Sequence, residues 1–100
     1  MPNEAEIRKR AIKILTNKNW ICWYPSRARY KQNDIFGIID LLAIKGKRLK
    51  KIQLTTLPNV STKRKKIKSF FKKTRAKLSV EIWAWSNKNK RFKIEKIKSS

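Results

Sequence analysis

Ile35-Phe36-Gly37-Ile38-Ile39-Asp40-Leu41-Leu42-Ala43-Ile44 is apolar at every position but one, and that one is an aspartate. A run of this length and composition reads as a strand covered on both faces. A carboxylate placed there loses water, so it either takes up a proton or acquires a partner. Lys45-Gly46-Lys47-Arg48 then supplies a hairpin turn, and Leu49 to Thr56 returns as an antiparallel strand. Asp40 lies six residues before the turn glycine and Gln53 seven after it. Residues about equidistant from a turn oppose one another, so these two side chains are expected on one sheet face. Gln53 is a second polar exception, set in Ile52-Gln53-Leu54. A carboxylate, an amide and nearby main-chain oxygens suit a hard divalent ion such as Mg²⁺ or Mn²⁺. The same two residues can instead hydrogen-bond each other or loop amides, and the residues alone leave both readings open.

The surrounding composition sharpens the question. The chain has 100 residues, 28 of them basic and only six acidic, for a formal net charge of +22. Such an excess makes a polyanion the expected partner, and nucleic acid is the commonest. A hydrophobic fraction of 40% with ten aromatics is enough to fold one compact domain. Histidine is absent, which removes the usual general base and any Ser/His or Cys/His pair. The lone Cys22 can form no internal disulfide, consistent with a reducing cytoplasm. No apolar stretch approaches the ~20 residues needed to span a bilayer.

Along the chain, Asn3 caps a first helix with Glu6 in the capping-box position, and Ile7, Ala11, Ile14 and Leu15 form its apolar face. Trp20 to Tyr24 reads as a strand stopped by Pro25, and Ser26 to Asn33 as a polar loop. After the hairpin, Leu57-Pro58-Asn59 breaks the sheet. A second helix runs to about Leu78, capped by Asn59 or Ser61, with Ile67, Phe71, Thr74 and Leu78 as its buried stripe. Val80 to Trp85 and Arg91 to Ile97 complete the set as strands. The expected architecture is one α/β domain in α-β-β-β-α-β-β order, a mixed central sheet flanked by two helices.

Gly37-Ile38-Ile39-Asp40-Leu41-Leu42-Ala43-Ile44, a turn, and Lys51-Ile52-Gln53-Leu54-Thr55 together resemble the core of the PD-(D/E)XK nuclease superfamily. The nearest flavour is the archaeal Holliday junction resolvases and related small endonucleases. The resemblance implies a restriction-endonuclease-like fold, a Mg²⁺-dependent DNA endonuclease selective for branched or double-stranded DNA, and a two-fold homodimer. It implies that Asp40 and Gln53 are metal ligands, Gln53 standing where an acidic residue is usual. Thr55 takes the place of the motif lysine, which normally orients the attacking water and stabilises developing charge. Lys65 or Lys66 on the second helix, or Lys51 at the strand start, are the candidate substitutes. Many resolvases carry a glutamate on the first helix; alignment puts Arg8 there, and Glu4, one turn earlier, is the only stand-in, though it reads more readily as a first-turn partner of the helix dipole. Loss of the lysine equally allows a catalytically degenerate DNA-binding protein on the same scaffold.

Contacts to the nucleic acid are expected from Arg27, Arg29 and Lys31 in the loop before the Asp40 strand, and from Lys63, Arg64, Lys65 and Lys66 at the start of the second helix. About six phosphate contacts would give a slope near −5 for log K against log salt. Few base-reading side chains accompany these cations, so binding should follow structure, not sequence. Asp34 reads more readily as a turn former than as a second site carboxylate. Trp83 and Trp85 share one face of their strand and suit core packing or a dimer surface better than base stacking. An unrelated RNA-binding or ribosome-associated protein would leave Asp40 unexplained.

Overall fold

Asn3 starts the first helix as its side chain accepts a hydrogen bond from the Glu6 amide at 2.9 Å. Glu4 and Glu6 fill the first turn, where the helix dipole favours negative charge. The computed structural model describes residues 3–25 and 35–99. Its elements are α1 (Glu4–Asn17), β1 (Ile21–Trp23), β2 (Leu41–Lys45), β3 (Arg48–Thr56), a 3₁₀ turn (Leu57–Asn59), α2 (Val60–Thr74), β4 (Ser79–Ser86) and β5 (Arg91–Lys98). The expected order holds, and the chain forms one α/β domain.

The five strands lie in the sheet in chain order. β3 and β4 are parallel, and α2 makes the crossover that a parallel pair requires. The remaining neighbours are antiparallel. Successive strand residues alternate between two apolar layers. Ala11 and Leu15 of α1, with Trp20, pack on Leu41, Ala43, Ile52 and Trp83. Ile67 and Phe71 of α2 pack on Ile38, Ile39, Val80, Ile82 and Ile97. The helices therefore cover opposite faces of the sheet. Cys22 joins the α1 layer, and burial pushes its thiol up from the ordinary value, so it remains a neutral packing group.

Three expectations are corrected. The apolar run 35–44 is not one strand. Phe36 and Gly37 both adopt left-handed φ angles, 56° and 74°, and fold residues 35–39 into a tight turn closed by Ile35 and Ile39. β2 begins only at Leu41, so Asp40 sits at the strand's mouth, half-buried, instead of in its middle. The second helix ends at Thr74, not Leu78. Arg75 takes a left-handed cap conformation, Thr74 is exposed, and Leu78 is half-buried beyond the helix. No side chain caps that helix: Asn59 turns back to donate to Thr56 Oγ1 at 3.1 Å.

Candidate functional site

The hairpin register pairs Leu41 with Ile52, which carries Asp40 and Gln53 to the next opposed positions. Gln53 Nε2 donates to Asp40 Oδ2 at 2.5 Å, and the Leu54 amide donates to the same oxygen at 2.8 Å. The Asp40 amide donates to Ile52 O at 2.8 Å, fixing the backbone from which the carboxylate projects. The two polar exceptions of the apolar hairpin thus meet on one face, as their distance from the turn predicts.

Because a carboxylate only accepts, the amide nitrogen of Gln53 must face Asp40. Its oxygen is turned elsewhere. Gln53 is 1% exposed, and Oε1 is buried without a hydrogen-bond partner among the described residues. An unpaired buried acceptor costs about 1–3 kcal/mol. Such atoms are rare enough in folded proteins to ask what they are kept for.

Both residues line a cleft of about 370 Å³ at the end of the sheet where β3 finishes and both helices begin. Glu4 and Arg8 enter from α1, Tyr24 and Pro25 from the end of β1, Thr55 and Thr56 from β3, and Asn59 and Lys63 from the start of α2. Thr55 is buried, on the same strand face as Gln53. Arg8 lies over the Tyr24 ring, 4.6 Å from its centre. The first turns of two helices therefore converge on the cleft, bringing positive dipole ends together with the Lys63 and Arg8 cations.

Placement of the remaining candidates is uneven. Glu4, the proposed stand-in carboxylate, and Arg8 both line the cleft. Lys63, expected only as a nucleic-acid contact, is the α2 lysine that reaches it. Lys65 and Lys66 are exposed on the helix and lie outside the lining, as does Lys51, two residues before Gln53. The difference follows from the 3₁₀ turn at Leu57–Asn59, which sets the phase at which α2 begins. Arg64 is committed elsewhere: its Nε and Nη2 donate to Glu95 at 2.5 and 2.6 Å, pinning α2 to β5. Those hydrogen bonds hold the Glu95 carboxyl below its usual range. Trp83 and Trp85 are each 4% exposed and belong to the core, so neither offers a stacking surface. Arg27, Arg29, Lys31 and Asp34 lie outside the described residues.

Among the described residues no three His, Cys, Asp or Glu side chains cluster as metal ligands. A cation here would rest on Asp40, on the Gln53 oxygen once the amide turns over to present it, and on neutral oxygens. That all-oxygen set fits Mg²⁺ or Mn²⁺, which keep several waters when bound. No protein-family model, curated protein or solved structure matches the chain.

Proposed function

We propose that the protein is a metal-dependent DNA endonuclease of the PD-(D/E)XK kind, selective for the shape of branched or double-stranded DNA. The observation that carries this reading is the Asp40–Gln53 pair, with the Gln53 oxygen buried and unmatched among the described residues, in a cleft lined by Lys63 and Arg8. Asp40 and Gln53 would hold the ion, and Glu4 is the second carboxylate within the cleft. A bound Mg²⁺ supplies Lewis-acid polarisation of a phosphodiester and lowers the pKa of water. The protein's own part is to place the phosphate. Lys63 takes the charge-stabilising role of the motif lysine that Thr55 cannot fill, and Arg8 anchors the adjoining backbone. The net charge of +22 steers the polyanion to the surface. A homodimer would set two such clefts against two strands of a junction.

One observation favours a second reading. Asp40 Oδ2 already receives two N–H donors, which is how a purely structural carboxylate is held in place. On this reading the protein binds DNA without cutting it. Branched and linear DNA incubated with and without Mg²⁺ or Mn²⁺ separates the two. The enzyme reading expects metal-dependent cleavage that falls about 1,000-fold or more in Asp40→Asn. Tight, salt-sensitive binding with no cleavage by the wild type in either metal would leave only the scaffold.

A further inference from the structure

Three of the four tryptophans are buried: Trp20, Trp83 and Trp85. Trp23 is 56% exposed. Cys22 packs toward α1, so strand alternation turns Ile21 and Trp23 to the opposite face. Trp23 pairs across β1–β2 with Leu42, which packs in the α2 layer, and Leu42 pairs with Lys51. Asp40 and Gln53 lie two residues further along the same face, about 7 Å on. The next row in the other direction is Ile21, Ile44 and Leu49, which are 72%, 46% and 51% exposed. An apolar strip centred on a tryptophan therefore runs from the Asp40–Gln53 pair across the part of the sheet that α2 leaves uncovered. Contiguous exposed apolar surface of this kind marks a binding face.

We infer that this strip takes the unpaired bases of a nucleic-acid strand, with Trp23 as the stacking platform beside the cleft. The inference rests on the nucleic-acid reading above and names the form of its substrate: DNA carrying a single-stranded segment. Charge selects the occupant. Lys51 stands in the Trp23 row, and Lys47 lies in the turn at the strip's far end. A second copy of the chain would bring these like charges together. A nucleic-acid strand combines flat apolar base faces with regularly spaced phosphates, and so meets both the strip and its cations.

The test is fluorescence anisotropy at one fixed salt concentration, without divalent metal, on labelled oligothymidylate, a blunt duplex and the same duplex with a single-stranded flap. Trp23→Ala should weaken binding of the single strand and the flapped duplex about tenfold, and of the blunt duplex less than twofold. Trp23→Phe should retain most of the affinity. Equal loss on all three ligands, or loss on none, would overturn the inference. So would a Trp23-dependent affinity for polyglutamate matching that for the oligonucleotide, which assigns the face to an acidic protein. A Trp23→Ala change in sedimentation instead of in DNA affinity would assign it to self-association, with the same result. Absence of Mg²⁺-dependent cleavage by the wild type would sink the nuclease reading alone, because the anisotropy differences do not depend on catalysis.

Discussion

Glu81 in β4 and Asp40 at the mouth of β2 project from opposite faces of the sheet and are treated differently. Glu81 faces the α1 layer and is neutralised: Lys50 Nζ lies 2.8 Å from one oxygen, and Trp83 Nε1 donates to the other at 3.0 Å. Asp40 faces the other way and is held by a side-chain amide and a main-chain amide beside an open cleft. On the proposed reading, the contrast is between a carboxylate used for packing and one that faces the cleft. Next to Asp40, the buried Gln53 oxygen has no hydrogen-bond partner among the described residues.

The largest expected effect lies on the Asp40 side. Lys63→Ala should lower the cleavage rate about 100-fold while DNA affinity changes little, because one donor to developing charge is lost among many phosphate contacts. Lys65→Ala, outside the cleft, is the matched control and should leave the rate within twofold. Equal losses from both would erase the distinction between cleft and surface lysines.

On the Glu81 side the effect is on stability. Glu81→Ala strands the Trp83 indole N–H and the Lys50 ammonium, at a cost of about 1–2 kcal/mol in urea denaturation. Cleavage per folded molecule should not change. A smaller change in stability is expected for Gln53→Leu, within about 1 kcal/mol of the wild type. It loses the donor to Asp40 but also removes the unsatisfied oxygen, and the two terms oppose each other. Its cleavage should fall sharply, so activity is lost without stability at Gln53, and stability without activity at Glu81. A Gln53→Leu protein that cuts normally would reduce the Asp40–Gln53 pair to packing.

The smallest effect belongs to a third carboxylate, Glu95. Arg64 lowers its pKa in the folded protein, so its contribution is present above the ordinary glutamate value of about 4.5 and is lost as pH falls through the folded value. Thermal melts between pH 6 and pH 3 should therefore lose slightly more stability in the wild type than in Glu95→Gln. Parallel curves would mean that the pair contributes nothing measurable, as many exposed pairs do.

Much of this was legible in the sequence. The element order, the hairpin and the meeting of Asp40 with Gln53 follow from period, turn chemistry and counting from Gly46. What escaped has physical causes. Residues 35–39 look like a strand because apolar composition does not distinguish a buried turn from a buried strand. Gly37 signalled the turn, but Phe36 in a left-handed conformation did not. The end of α2 carries no glycine, since Arg75 itself takes the left-handed cap. Lys63 is indistinguishable from its neighbours in the sequence, because the phase of α2 follows a 3₁₀ turn that leaves no periodic trace. Trp23 read as another strand aromatic, because exposure at a sheet edge depends on what α2 fails to cover.

The most direct test is an anomalous-scattering map from crystals soaked in Mn²⁺. A peak is expected at the Asp40 carboxylate, with the Gln53 amide turned over so that its oxygen replaces its nitrogen toward the ion, and it should be abolished in Asp40→Asn. Saturating Mn²⁺ that leaves this position empty, or binds only at other carboxylates, would contradict it.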